Sequence, residues 1–134
     1  MSTSDIIKQA IVKGYLDYSN GLIEEFNNNP DNKEMLNRYW NGPRPPVTEA
    51  DLTEALDDGL PAMGSVPSEL GAISYVENRG GEGDGAPVYY VVKVGDKYYE
   101  IETVYSSWDY TDWNDEDFYE VVPEKVTVVK YRRA

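Results

Sequence analysis

Residues 88–105, VYYVVKVGDKYYEIETVY, decide the fold because they read as a strand, a tight turn and a second strand. Aromatic and β-branched residues, which favour strands, lie on both sides of Gly95-Asp96. Gly and Asp both tolerate the positive φ that hairpin turns require. A two-residue loop there predicts these cross-strand pairs: Val94 with Lys97, Lys93 with Tyr98, Val92 with Tyr99, Val91 with Glu100, Tyr90 with Ile101, Tyr89 with Glu102, and Val88 with Thr103.

This register gives the hairpin one apolar face and one mixed face. A slip of one residue would exchange the two faces, so their clean separation supports the register. Because an isolated hairpin is only marginally stable in water, it requires further strands or helices. The apolar face is formed by Val88, Tyr90, Val92, Val94, Tyr99 and Ile101.

Three helices are predicted before the hairpin. The first starts at an N-cap, Ser4, and ends either at Asn20-Gly21 or at the run 27–30. The second starts at Asp31 and stops near Gly42. The third covers Glu49–Asp57, with Gly59 ending it, and its outer face is acidic. The first helix has an apolar stripe at helical spacing, formed by Ile7, Ile11, Tyr15, Tyr18 and Leu22.

The predicted fold is α+β, with N-terminal helices packed on a mainly antiparallel sheet of three to five strands. The whole chain, 1–134, is predicted to form a single domain with a helical part at 4–58 and a sheet part at 72–131. Residues 60–70 are expected to be irregular. The predicted strands are Ala72–Glu77, Val88–Val94, Lys97–Tyr105 and Lys125–Tyr131.

The glycine-rich segment 78–87, NRGGEGDGAP, joins two of these strands. A phosphate-binding loop would need a Lys followed by a Ser or Thr after the glycines, and both are missing. A calcium-binding glycine repeat would need several copies in register, and only one imperfect copy is present. The segment is therefore interpreted as a flexible hairpin loop.

Composition excludes several kinds of site. The chain has no Cys and no His, which removes disulfides, thiolate metal sites and the usual general base near neutral pH. No apolar run approaches the ~20 residues of a membrane span. The first residues lack the features of a signal peptide, so we expect a cytoplasmic protein. No cofactor motif is present, and no cofactor is expected.

The formal net charge is −13, and nearly all of it lies in the second part of the chain. Residues 1–47 carry six acids and five bases, whereas residues 48–134 carry nineteen acids and seven bases. Such a field disfavours direct contact with nucleic acid or anionic membranes and favours a basic partner. The alternative is that the acidity only keeps the protein soluble.

The segment 106–120, SSWDYTDWNDEDFYE, combines six acids and five aromatics with no base. We call it the acidic–aromatic segment. Tyr and Trp are common interface anchors, and a carboxylate rim attracts a basic partner. The predicted partner-binding residues come from this segment and the preceding hairpin: Glu100, Glu102, Trp108, Asp109, Tyr110, Asp112, Trp113, Asp115, Glu116 and Asp117.

Three other interpretations of the acidic–aromatic segment remain open. Asp112, Asp115 and Asp117 are the oxygen ligands that calcium or magnesium prefers, although the EF-hand spacing is absent. Two carboxylates with stacking tryptophans would suit glycoside hydrolysis, but nothing singles out a pair, so no catalytic residue is assigned and no enzyme is expected. Alternatively, Trp108, Trp113 and Phe118 pack over the open sheet face while the acids contact water.

A sharper form of the binding hypothesis is mimicry of a nucleic acid. Same-face carboxylates on a strand lie ~6.6 Å apart, which is of the order of the spacing between phosphates. A surface with this spacing would occupy the basic groove of a nuclease, polymerase or repressor, and its binding would weaken with salt.

The part of the chain from Gly95 to Tyr131 resembles a group of small uncharacterised bacteriophage accessory proteins. The shared features are a strand pair, a Tyr-Ser-Ser-aromatic segment at 105–108 followed by acids, and a Val–Pro–Val strand pattern around Pro123. No function comes with that group. The resemblance implies a phage-type inhibitor of a host defence or nucleic-acid-binding protein, acting in the host cytoplasm. The alternatives are a virion structural or assembly protein and a toxin-neutralising immunity protein.

Overall fold

The computed structural model describes residues 2–80, 86–104, 113 and 117–134. The first part is helical and the second part forms a sheet. The helices are α1 (Thr3–Asn28), α2 (Lys33–Trp40), α3 (Leu52–Glu54) and α4 (Leu60–Met63), with a 3-10 turn at Pro30–Asn32 and a π-helical turn at Ala55–Gly59 between α3 and α4. The strands are β1 (Ser65–Val66), β2 (Ile73–Gly80), β3 (Pro87–Val94), β4 (Lys97–Val104) and β5 (Asp117–Val121).

The five strands form one antiparallel sheet in the order β1-β2-β3-β4-β5. The predicted α+β class is therefore confirmed. The β3–β4 hairpin has the predicted register at every pair from Val88 with Thr103 to Val94 with Lys97. Gly95 has φ 60°, a value that favours glycine, so the turn residue matches the geometry that the hairpin needs.

The helices cover one face of the sheet and form the hydrophobic core with it. Within the described residues, one cluster of buried side chains joins the helical part to the sheet. We call the sheet face in this cluster the core face. We call residues 52–63, from α3 through the π-helical turn to α4, the third helical region. The fully buried members of the cluster include Ile7 and Ile11 of α1, Leu56 and Leu60 of the third helical region, and Ile73, Tyr90, Val92 and Ile101 of the sheet.

The helix boundaries differ from the predicted ones. α1 begins at Thr3, and the Ser2 hydroxyl, not that of Ser4, accepts the capping hydrogen bond from the Asp5 N–H at 3.1 Å. The turn before α2 is capped by the Asn29 side chain, which accepts from the Asp31 N–H at 3.0 Å, so the predicted cap at Asp31 is wrong.

The third helical region is also longer than predicted. It begins after Asp51, whose carboxylate accepts from the Glu54 N–H at 2.7 Å, and it continues through Gly59 to Met63. A glycine ends a helix only where the chain turns into another conformation. Gly59 keeps a negative φ and packs against the Tyr15 ring.

The predicted last strand, Lys125–Tyr131, is wrong in this structure, because residues 122–134 have no regular secondary structure. The fifth strand is Asp117–Val121, inside the acidic–aromatic segment. Phe118 pairs with Ile101 on the core face, and its ring stacks on Tyr99 with centroids 5.3 Å apart. Burial of this aromatic ring favours pairing of β5 with β4 over pairing of the valine-rich segment.

The glycine-rich segment 78–87 joins β2 and β3, and the described ends of these strands pair at Gly80 with Val88. Residues 81–85 lie outside the described part of the chain, so their predicted flexibility stays a prediction.

Gly14 allows α1 to lie close to β1. A Cβ at this position would lie 2.9 Å from the Val66 Cβ, and Val66 is buried. We expect Gly14→Ala to lower the free energy of unfolding by about 1–2 kcal/mol, because overpacking costs more than the helix gains from alanine. Urea unfolding followed by circular dichroism measures this change.

Gly21→Ala in the same helix is the matched control. No atom lies within 4 Å of a Cβ there. This variant should therefore raise the free energy of unfolding by about 0.5–1 kcal/mol. Equal effects of the two substitutions would contradict the close packing of α1 on β1.

Candidate functional site

The sheet face opposite the core face is the candidate site, and we call it the outer face. Cross-strand pairs share a face, so the register defines its members. Two rows cross the sheet: Glu77, Val91, Glu100 and Tyr119 form one, and Arg79, Tyr89, Glu102 and Asp117 form the next. A third row contains Ser74, Lys93, Tyr98 and Val121.

Glu100 lies near the middle of the outer face and binds a base. Its Oε1 is 3.4 Å from Arg79 Nη2, and the same guanidinium contacts Glu77 Oε1 at 3.0 Å. The guanidinium also lies 4.9 Å from the centroid of the Tyr89 ring. The Glu100 side chain is only 13% exposed, and its carboxylate is paired with Arg79. Little of its charge is therefore accessible to a binding partner.

Glu102 lies two residues further along β4, at the side of the outer face that carries Asp117. The Tyr119 hydroxyl donates a hydrogen bond to Glu102 Oε2. This bond to a carboxylate, together with the nearby acids, raises the pKa of Tyr119 to about 12. The hydroxyl therefore stays protonated across the physiological range and holds the Glu102 carboxylate on the open face.

Three tyrosines alternate with the carboxylates on this face. They are Tyr89, Tyr98 and Tyr119, and each comes from a different strand. The Lys93 ammonium lies 5.6 Å from the Tyr98 ring centroid. Val91 is buried among these long side chains even though it faces outward. The outer face is thus an aromatic surface with acids on the β4–β5 side and bases on the β2–β3 side.

A cleft of about 500 Å³ opens on the outer face. Its walls include Val91 and Glu100 from the sheet and Val122 and Pro123 from the chain after β5. The chain after β5 therefore crosses onto this face.

Trp113 was predicted to bind a partner, and the structure corrects this. The residue is 1% exposed, and its ring packs edge-on against Tyr90 with centroids 5.5 Å apart. Its indole N–H donates to Asp57 Oδ1 at 3.2 Å. A large aromatic gains more from burial than from exposure to water. For Trp113 and for half-buried Phe118, the alternative that places aromatics over the sheet is the correct one.

The structure brings together three of the predicted binding residues: Glu100, Glu102 and Asp117. The other predicted residues, Trp108, Asp109, Tyr110, Asp112, Asp115 and Glu116, lie outside the described part of the chain. The predicted site did not include Tyr89, Tyr98 or Tyr119. The hairpin register already placed Tyr89 and Tyr98 beside these acids, but Tyr119 required the position of β5.

Three acids of the third helical region have structural partners. Asp51 caps α3, Glu54 accepts from the Tyr15 hydroxyl at 3.0 Å, and Asp57 accepts from the Trp113 indole. Burial raises the pKa of Asp57, and the hydrogen bond from Trp113 partly offsets this effect. These carboxylates therefore hold the core together and are poor candidates for a binding surface.

The hydrogen bond between Tyr119 and Glu102 predicts a specific titration. We expect the Tyr119 phenol of the wild-type protein to titrate near pH 12, and Glu102→Gln to bring it back towards 10.0, the ordinary value. Carbon NMR of labelled tyrosine ring carbons measures both. A Tyr119 titration that is the same in the two proteins would show that Glu102 is not the cause.

The raised pKa of Asp57 predicts that stability falls with rising pH. The native carboxyl keeps its proton to a higher pH than the unfolded chain does, so the contribution of Asp57 to stability declines between the unfolded pKa, 3.8, and the folded pKa. Asp57→Asn keeps an acceptor for the indole and removes the charge. We expect it to raise the free energy of unfolding at pH 7, with an advantage that shrinks towards pH 3.8.

Urea unfolding at a series of pH values tests this expectation. Asp17→Asn, which removes an exposed charge from α1, is the control for the effect of net charge alone. An Asp57→Asn advantage that does not change with pH, or that matches the control, would contradict the partial desolvation of the Asp57 carboxylate.

Among the described residues, no group of three or more acids is arranged to hold a metal ion. No helix in the described ranges is both long and apolar enough to cross a bilayer. No protein-family model matches the chain, and no curated protein or solved structure is similar to it at a significant level. Function has to be argued from the outer face.

Proposed function

We propose that the protein is a non-enzymatic binding protein whose outer face docks on a basic surface of another protein. One observation carries this proposal: Glu102 and Asp117 lie side by side in the β4–β5 register, next to three tyrosines, on a sheet face that no described helix covers. Buried aromatic anchors with charges around them are typical of interfaces that bind protein.

The rigidity of the surface supports binding. The outer-face side chains project from strands that are hydrogen-bonded on both sides or paired to a central strand. Tyrosine has few rotatable bonds, and Tyr119 is further held by Glu102. A pre-organised surface loses less conformational entropy on binding, so more of its contact energy is available for affinity.

The distribution of charge indicates the chemistry of the partner. The outer face carries four acids, Glu77, Glu100, Glu102 and Asp117, against two bases, Arg79 and Lys93. Arg79 is paired with Glu77 and Glu100, which leaves the free acidity at Glu102 and Asp117. We infer that arginines or lysines of the partner contact this side, while its apolar groups contact the tyrosines.

Mimicry of a nucleic acid is the form of this function that the spacing favours. Glu102 on β4 and its cross-strand neighbour Asp117 on β5 place two carboxylates side by side, with about 5 Å between their Cβ atoms. Such a pair would occupy a groove that normally binds phosphates. With the resemblance to phage accessory proteins, this supports an inhibitor of a host defence or nucleic-acid-binding protein.

A capture experiment tests the proposed function. Wild-type protein is immobilised, bacterial lysate is applied at low salt, and bound proteins are eluted with a salt gradient. We expect a nucleic-acid-binding protein to elute late and to be displaced by competing DNA, because both ligands would use the same basic groove. If a specific partner binds but DNA does not displace it, the result supports the binding function and excludes mimicry of a nucleic acid.

The decisive comparison uses two variants of equal charge. Glu102→Gln with Asp117→Asn changes the outer face, and Glu24→Gln with Glu25→Gln removes two exposed acids from α1. Loss of two charge contacts should weaken capture about tenfold, which corresponds to about 1.4 kcal/mol, whereas the α1 variant should bind like wild type. Equal weakening by both would show that only net charge matters and would remove the outer face as the binding site.

A further inference from the structure

The segment after β5, residues 122–134, is a strand-forming sequence that has no strand to pair with in the described structure. We call it the basic tail. The segment contains several valines, and their side chains are exposed to solvent: Val126 is 75% exposed, Val128 67% and Val129 73%. β-branched residues at this density favour a sheet. An exposed segment of this kind is typical of strands that pair with another chain.

The sheet has a free edge that fits such a strand. β5 pairs with β4 through Tyr98 with Val121 to Glu102 with Asp117, and no described strand pairs with its other edge. As far as the described residues go, the backbone N–H and C=O groups of that edge are therefore available to an added strand. Such an edge attracts strands from other molecules unless it is covered.

Charge separates the basic tail from the rest of the chain. Residues 122–134 carry Lys125, Lys130, Arg132 and Arg133 against one acid, Glu124, a formal charge of +3. Since the whole chain carries −13, residues 1–121 carry −16. The free edge itself contains Asp117 and Glu120. Opposite charges on neighbouring strands stabilise their pairing, so the tail complements the body of this protein.

The direction of the chain after β5 argues against pairing within one molecule. Val122, Pro123 and Glu124 line the cleft on the outer face together with Val76, Glu77 and Arg79, which belong to β2 on the far side of the sheet. The start of the basic tail therefore turns onto the outer face and away from the free edge of its own β5. This direction favours a second copy as the source of a strand at that edge.

We propose that the basic tail of each copy adds a strand to the free β5 edge of a second copy, forming a symmetric dimer. Reciprocal exchange uses the same two surfaces twice, as a two-fold symmetric dimer requires, and it covers both edges at once. The valines become buried, and Lys125 and Lys130 approach the partner's acids. This inference shares Asp117 with the proposed function, but the mass in solution tests it without any binding partner, so the two can fail separately.

The mass in solution tests the dimer. By sedimentation velocity at low salt, the full chain should have twice its 15.2 kDa mass. A chain that ends after Val121 and the variant Val128→Pro, which lacks a backbone donor, should both be monomers that keep the helical circular dichroism signal of the folded protein. Val128→Thr keeps strand propensity and should remain a dimer. A full chain that is monomeric at all concentrations, or a dimer that survives loss of the tail, overturns the proposal.

Charge and proximity provide two further tests that stay informative even where the truncated chain fails to fold. Lys130→Glu should weaken the dimer at least tenfold, whereas Lys33→Glu on exposed α2 should not, and equal effects would contradict pairing at the acidic edge. The chain has no Cys, so a copy with Glu120→Cys can be mixed with a copy with Thr127→Cys and treated with a short bismaleimide. A crosslinked pair that needs both cysteines is expected, and its absence overturns exchange between copies.

Discussion

The hydroxyl of Tyr90 makes the bond on which the rest of the structure depends. It donates to the Leu56 carbonyl at 2.8 Å from the centre of β3. In the π-helical turn, the Leu60 N–H bonds to the Ala55 carbonyl, and the next donor along the helix would be residue 61, a proline without an N–H. The Leu56 carbonyl therefore has no helical partner, and Tyr90 satisfies it in a place where an unpaired carbonyl would be costly.

This single contact fixes how the helices lie on the sheet. The Tyr90 ring packs edge-on against Tyr75 and against Trp113, with centroids 5.5 Å apart in both pairs. Burial raises the pKa of Tyr90 far above its ordinary value, so the hydroxyl remains a donor at any physiological pH. Trp113 then reaches Asp57 in the same π-helical turn. Three aromatic rings and one irregular turn thus form the joint between the two parts of the chain.

Features that depend on neighbouring residues, such as the hairpin register, could be predicted from the sequence. Features that depend on contacts between distant residues could not. The hairpin register came out correctly because its period of two and its Gly95 turn are both readable within eighteen residues. The observed helix starts differ from the predicted ones because several neighbouring polar residues could each cap the same turn. The sequence predicts a helix end at Gly59, whereas the helix continues there through a π-helical turn. That turn depends on Tyr15 and Tyr90, which are distant in sequence.

The fifth strand was missed for the same reason. Residues 125–131 have the stronger intrinsic strand pattern, but Asp117–Val121 has Phe118, which reaches the core next to Tyr99. Packing against the core overrides propensity where the two disagree. Of the candidate site, Glu100 and Glu102 follow from the hairpin register alone, whereas Tyr119 follows only from β5, and the burial of Trp113 follows only from the helices.

The same alternation that builds the core also fixes the outer face. Tyr90 and Ile101 point inward, so Tyr89, Val91, Glu100 and Glu102 must point outward. A register slip that moved the outer carboxylates would expose Tyr90 and leave the Leu56 carbonyl without a partner, so the stability of the core protects the spacing of the surface. Three acids of the third helical region, Asp51, Glu54 and Asp57, already make contacts within the folded protein. On the β4–β5 side of the sheet, by contrast, the strand register holds Glu102 and Asp117 at a fixed spacing, and the Tyr119 hydroxyl further positions Glu102.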